Sequence, residues 1–267
     1  MLGNMQISWT PVADRVWYTT VDPDQANVVC IAGDERAVLV DAGGTAEVGA
    51  AVLASARELV GVPLEHVVIT HHHADHWHGL AGMEGVESIA HENILSDDTP
   101  EILRPTAPFS LARALELGNR FLEIVHFGPA HSQSDVMVVA QSVGVICVGD
   151  LLESAGDPQF DETTEFDRWP RTIDSVVGNA KGGTILIPGH GAPMDRDAAF
   201  QQIGDIAMFA STVENLIRQG VRLDNAYNSV DDWPFSEETV KAALPFAYKE
   251  YGSKGLEPKT HLPIMGL

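Results

Sequence analysis

Positive charge is what this sequence has least of. Sixteen Lys and Arg stand against 38 Asp and Glu, a formal net charge of −22, and no lysine precedes Lys181. A protein that tracks phosphates needs a cationic face to displace counterions, and a peripheral membrane protein usually sets basic residues against anionic headgroups. Nucleic acid and membrane are therefore poor partners, and a small-molecule substrate is expected. Cysteine is scarce as well. Cys30 and Cys147 both lie in apolar runs, VVCIAG and VGVICVGD, where a thiol packs as a small hydrophobe, so no disulfide framework is expected.

Long apolar runs are also missing, and none approaches the roughly 18 residues of a membrane span. The opening MLGNMQISWTPVADR lacks a basic stretch followed by an apolar one, so a cytoplasmic protein is expected unless a leader has been removed. Low-complexity tracts, linkers and repeats are absent too. With 45% hydrophobic residues the chain can build a substantial core, and one domain is expected over residues 1–267, with a helical extension from about 195 onward.

What is present begins with short β-branched runs separated by turns: VWYTT, NVVCIAG and RAVLVDAGG. In AEVGAAVLASARELVG, Val48, Val52, Ala56 and Leu59 recur at helical spacing, and Gly61 with Pro63 supplies a stop. Further strands are expected at residues 66–70, 86–90, 120–127, 135–140, 143–150 and 184–190, and helices near 170–180, 195–219 and 236–244. Strand pairs first and helices later suggest two sheets with helices packed outside, an α/β architecture.

Five of the eleven histidines fall in the string His71-His72-His73-Ala74-Asp75-His76-Trp77-His78, just after the run HVVIT. In an extended chain, side chains two apart share a side, so His71 and His73 can reach one metal while His72 faces away. Asp75 and His76 can turn toward a second. Three more candidates end or follow strand-like runs beside glycine or proline: His131, Asp150 and His190. Imidazole and carboxylate donors suit zinc, and also iron or manganese, while the lack of thiolate donors argues against a structural zinc finger.

The ordered set HHHADH (71–76), GPAHS (128–132), GD (149–150) and GHG (189–191), preceded by VLVDAG (38–43), resembles the metallo-β-lactamase-fold hydrolase superfamily. That resemblance implies an αββα sandwich of two mixed β-sheets with outer helices. It also implies two Zn²⁺, the first held by His71, His73 and His131, the second by Asp75, His76 and His190, with Asp150 bridging. The activity implied is that of a dinuclear zinc hydrolase, in which a metal-bridging hydroxide attacks the carbonyl of a small ester, lactone, thioester or β-lactam. Asp75 is the expected catalytic residue, orienting the nucleophile or relaying its proton.

Two departures from the family pattern are visible. Many members continue the third motif as His-Thr-Pro-Gly, whereas this chain reads His131-Ser132-Gln133-Ser134, and Trp77-His78 is an unusual continuation of the Asp-His pair. Trp77, His78 and Ser132 are accordingly expected near the substrate. Other readings stay open: a mononuclear iron oxidoreductase resembling the sulfur dioxygenase branch, and a metal-dependent nuclease, which the charge disfavours.

For several residues a plain role competes with a functional one. Asp41 is either a turn former or a support for a ligand histidine, and Arg168, Trp169 and Arg171 either line a channel or begin a helix. Residues 92–119 are either a lid or an outer helix pair, while Trp233, Phe235, Phe246, Tyr248 and Tyr251 are a contact or substrate-facing segment. His66, His91, His126 and His261 read as isolated surface or core residues.

Overall fold

A computed structural model describes residues 6–258; His261 lies outside them. The N-terminal half forms a sheet in the order β1 (Thr10–Ala13), β2 (Val16–Val21), β3 (Ala26–Ala32), β4 (Ala37–Val40), β5 (Leu64–Val68), β6 (Glu87–His91) and β7 (Ala107–Phe109). β1 to β4 pair antiparallel, and β4 to β7 parallel. A second sheet runs β12 (Ile185–Pro188), β11 (Val145–Gly149), β10 (Met137–Ala140), β9 (Phe121–Val125) and β8 (Ala112–Glu116), antiparallel except for the β11–β12 pair.

Alternation decides what each face covers. Val29, Ile31, Val38 and Val40 from the first sheet meet Leu122, Ile124, Val138 and Cys147 from the second in one buried cluster between them. The opposite face of the first sheet, with Val28, Cys30, Leu39 and Val67, is covered by α1 (Ala46–Val60) through Val48, Val52 and Ala56. The outer face of the second sheet takes α3 (Trp169–Val177), α4 (Arg196–Arg218) and α6 (Glu237–Ser253), joined by Ile146, Val148 and Leu186 to Ile173, Ile206, Phe209, Val213 and Val240. The result is the helix, sheet, sheet, helix order expected from the sequence. Short α2 (Ala74–Trp77) and α5 (Leu223–Ala226) complete the helices used below. No helix among the described residues is long and apolar enough to cross a membrane.

Several expectations change at this level. Residues 92–119 form neither a lid nor a helix pair; they carry the chain from the edge of one sheet to the edge of the other, contributing β7 and β8. Both runs are short and expose Pro108, Ala112, Ala114 and Glu116, so no alternation of apolar and polar residues stands out in them. The last long helix does not stop before Pro245 but continues to Ser253, because Ala247 and Tyr251 extend the buried face of Val240, Ala243 and Leu244. The aromatic C-terminal segment is likewise packing. Phe235 and Tyr251 are buried in the helical layer, and the partly buried Trp233, Phe246 and Tyr248 pack against it.

The histidine-rich loop is seated by glycines. Thr45 caps α1 by accepting the Val48 amide at 3.3 Å, and Gly61, with φ 66°, ends it. Gly79, just past the motif, donates its amide to Gly43 O at 2.6 Å, and a Cβ there would lie 1.9 Å from Ala42 O. Backbone therefore rests directly on backbone where the loop passes α1. Gly79→Ala is expected to cost roughly 1–3 kcal/mol through overpacking. Gly204→Ala on α4, where a Cβ meets nothing within 4 Å, is expected to be neutral or slightly stabilising. Urea unfolding of both variants checks the contrast.

Candidate metal centre

The seven sequence-nominated donors come together in the loops that follow β5, β9, β11 and β12. His71, His73 and His131 form one group with Asp150, and Asp75, His76 and His190 form another. In the first, His73 Nδ1 lies 3.1 Å from His71 Nε2 and 2.9 Å from His131 Nε2. In the second, His76 Nε2 lies 3.2 Å from His190 Nε2, and Asp75 Oδ2 is 3.3 Å and 3.1 Å from those two nitrogens. Asp150 stands between the groups. Its Oδ2 is 3.6 Å from both His71 and His131 and 3.7 Å from His190, and its Oδ1 is 3.2 Å from His76.

Such crowding of lone pairs calls for a cation. One proton can serve one pair of nitrogens, not three converging on a point, and donors about 2.0–2.1 Å from a tetrahedral zinc sit about 3.3 Å apart, close to the spacings seen. Two further observations fit. Asp150 Oδ1, which faces His76, is buried without a hydrogen-bond partner. Gly189 leaves the space Asp150 occupies, since a Cβ at that glycine would lie 1.7 Å from Asp150 Oδ1 and 3.0 Å from His76 Cε1.

The ring nitrogens facing away from the centre are mostly held by oxygen, the arrangement that fixes tautomer and orientation around metals. His71 Nδ1 donates to Thr70 Oγ1 at 2.9 Å, and that hydroxyl donates to Asp41 Oδ2 at 2.9 Å. The same Asp41 oxygen accepts from His76 Nδ1 at 2.9 Å, while Asp41 Oδ1 accepts the Thr70 amide at 2.7 Å. Asp41 thus supports a histidine of each group, which decides between its two readings. His190 Nδ1 donates to Gln25 O at 3.1 Å. The loop carrying His190 is held in turn by Asn27, whose side chain donates to Pro188 O and Gly191 O at 3.0 and 2.8 Å.

Sequence reasoning missed Asp161. Its Oδ2 accepts from His73 Nε2 at 2.8 Å, and its Oδ1 accepts the amide and hydroxyl of Thr163 at 2.7 and 2.8 Å. The two residues are 88 positions apart, so the only local sign was the Asp-Glu-Thr-Thr turn. Asp161→Ala is expected to weaken the ion at the first group about 10- to 100-fold, read by competition with a coloured chelator. Asp161→Asn, whose amide oxygen still accepts, is expected to lose less.

Charge at the centre follows from burial and neighbours. Burial pushes the His131 imidazolium down to about 4, so the ring is neutral and its lone pair is free for a cation. Burial alone would raise Asp75, but hydrogen bonds to His190 and His76 outweigh it and hold the carboxyl below the usual range. Burial also opposes charge on Asp150, and His76, His71 and His131 overcome it, leaving that carboxyl well below its ordinary value.

The three residues expected at the substrate are placed elsewhere. Trp77 is buried in the layer under α1, its indole donating to Leu103 O at 2.8 Å. Ser132 is fully buried, its hydroxyl donating to Asp135 Oδ1 at 2.7 Å in a loop whose amides Asp135 also accepts. His78 is exposed beyond α2. Trp169 is fully buried and donates to Leu151 O at 3.0 Å, so the helix-start reading of residues 168–171 holds for it. His91 and His126, which look isolated in sequence, stack with ring centroids 3.6 Å apart. His72 lies beside His73 and Asp161.

A cavity of about 510 Å³ opens beside the second group, lined by Asp24, Gln25, Ala74, Asp75, Glu153, Ala155, Gly156, Asp157, Gln159 and His190. Trp77, His78 and Ser132 are not among its walls. Glu153 is 7% exposed, and burial raises its carboxyl to about 7 against the hydrogen bond from the Ala155 amide.

Residues 21–198, a span containing all seven donors, match the family model described as the metallo-beta-lactamase superfamily. The chain is 24% identical over 135 residues to metallo-beta-lactamase type 2 of Bacillus cereus, covering 49% of this chain and 53% of that protein. It is 32% identical over 164 residues to hydroxyacylglutathione hydrolase of Xanthomonas campestris pv. campestris strain B100, covering 60% and 58%. The matches thus span little more than half the length of these relatives. Among solved structures, a metallo-beta-lactamase from Pontibacter korlensis superposes with TM-score 0.68 at 20% identity, covering 75% of this chain and 99% of that one. The sec-alkylsulfatase Pisa1 from Pseudomonas sp. superposes with TM-score 0.76 at 18% identity, covering 93% and 50%. At these identities the superpositions speak for the fold.

Proposed function

The chain belongs to the metallo-beta-lactamase superfamily, and from that premise we propose that it is a dinuclear metal-dependent hydrolase acting on a small ester-like bond. The observation that carries the reading is the pair of complete donor groups sharing Asp150. His71, His73 and His131 would hold one ion, Asp75, His76 and His190 the other, with zinc the ion best suited to an all-imidazole and carboxylate set. Two such ions would supply Lewis acidity toward a carbonyl oxygen and draw the pKa of water from 15.7 toward roughly 7.

The protein's own groups supply orientation and proton handling. Asp75 is the ligand carboxylate on the cavity wall; His190 and His76 hold its carboxyl below the usual range, so with Oδ2 turned to the donor group the anion would orient the attacking water through Oδ1. His73 and His190 are kept in place by Asp161 and Gln25 O, so the donors do not rearrange as charge develops. Burial of His71, His76 and His131 keeps water out from behind the centre.

Lactones, thioesters, carboxylic esters and β-lactams all present the carbonyl this arrangement serves. The names of the relatives point to β-lactams and glutathione thioesters, but loops around the ions set specificity, and fold-level likeness does not transfer it. The complete second group favours hydrolysis over single-iron oxidation. Two buried, unpaired thiols, Cys30 and Cys147, suit a reducing compartment, in line with a cytoplasmic protein. The test is turnover of p-nitrophenyl esters, a homoserine lactone, a thioester and a chromogenic cephalosporin by zinc-loaded and chelator-treated protein. Zinc-dependent cleavage of at least one is expected, and failure on all of them, with oxygen uptake on a persulfide instead, would overturn the reading.

A further inference from the structure

Glu153 sits at the wall of the cavity beside Asp75 and His190, three residues beyond the bridging Asp150, and nothing in the proposed reaction uses it. It is nearly fully buried, yet no lysine or arginine accompanies it. Its Oε1 accepts the Ala155 amide at 2.9 Å, and the Ser154 amide also favours the charged carboxylate. It does not join either donor group. The other charged walls are Asp24, Asp75 and Asp157, with Gln25 and Gln159 between them, and neither lysine nor arginine lines the cavity. Asp157 is partly engaged, accepting the Ser236 amide at 2.8 Å.

A carboxylate removed from water without a counter-charge is costly, and an ammonium group brought beside it relieves that cost. A substrate carboxylate in the same place would meet Glu153, Asp24 and Asp157, with only the ions of the centre, already offset by Asp75 and Asp150, to oppose them. We propose that this cavity is a cation-selecting subsite, in which Glu153, assisted by Asp24 and Asp157, receives an ammonium or similar cationic group of the substrate while the scissile carbonyl faces the metal centre. The proposal rests on the hydrolase reading for the identity of the reaction, not for the binding.

The test has a binding arm and a turnover arm. In the first, zinc-loaded protein is titrated at pH 7 with n-butylammonium and with n-butanol, followed by ligand-observed NMR. Butylammonium is expected to bind at least tenfold more tightly, and that advantage is expected to disappear in Glu153→Gln, which keeps the contact to Ala155, and to shrink in Asp24→Asn at the rim. Equal binding of the two probes, or an advantage that survives Glu153→Gln, overturns the subsite. In the second arm, p-nitrophenyl esters of one chain length ending in ammonium, methyl or carboxylate are compared by kcat/KM. The expected order is cationic, neutral, anionic, with the ratio of the first to the last falling at least tenfold in Glu153→Gln. Selective butylammonium binding with no ester cleaved would keep the subsite and remove the hydrolase reading. Cleavage with no preference for charge would do the reverse.

Discussion

Replacing Asp150 with alanine is expected to abolish hydrolysis for practical purposes, lowering kcat/KM by roughly 10³-fold or more, because losing one electrostatic stabiliser alone costs about 10²–10³ and here ion occupancy is lost with it. Asp150 is the one carboxylate that reaches both donor groups, with Oδ2 facing His71, His131 and His190 and Oδ1 facing His76. Without it, each group keeps three donors but loses the anion that offsets two neighbouring dications. The variant is expected to fold, since the side chain makes no hydrogen bond that organises the backbone, and to retain fewer than two ions. Asp150→Asn separates shape from charge: it keeps the volume beside Gly189 and is expected to be nearly as damaged. His66→Ala, on β5 of the first sheet and paired with Glu87 rather than the centre, is expected to leave turnover intact.

Removing the metal is expected to destabilise the whole fold. A ligand bound only by the native state contributes about 4.1 kcal/mol at a free concentration a thousandfold above its Kd. With 1 kcal/mol shifting Tm by about 2–4 °C in chains of 150–250 residues, chelation is expected to lower the melting temperature by about 8–16 °C. The donors come from loops after β5, β9, β11 and β12, strands of both sheets, so bound ions would tie the two layers at one edge. Added zinc is expected to restore the transition, and a melting curve indifferent to chelator would contradict the account.

How much of the fold and of the metal centre is legible in the sequence depends on how local each signal is. The strands from β2 to β6 and from β9 to β12, with α1, α3 and α4, are continuous runs of matching period, and the sequence names them to within a few residues. β7 and β8 are three and five residues long with exposed positions, and nothing local marks them. The seven donors are legible because metal ligands need particular side chains beside turns. Asp161 and Glu153 are not, because a carboxylate among 38 is inconspicuous until folding places it against His73 or in a cavity wall. Trp77 and Ser132 are misplaced for a related reason. Adjacency in sequence to a ligand puts a side chain on a neighbouring face, and in a tight loop that face is the core.

The claim that two ions share one carboxylate is tested most directly by counting them. Metal-free protein titrated with zinc, with bound ion measured by mass spectrometry of the dialysed sample, is expected to take up two ions per chain in the wild type. Fewer than two are expected in Asp150→Ala, and one in Asp75→Ala, which spares the first group. A wild-type chain that saturates at one ion, or an Asp150→Ala variant that still holds two, would contradict the account.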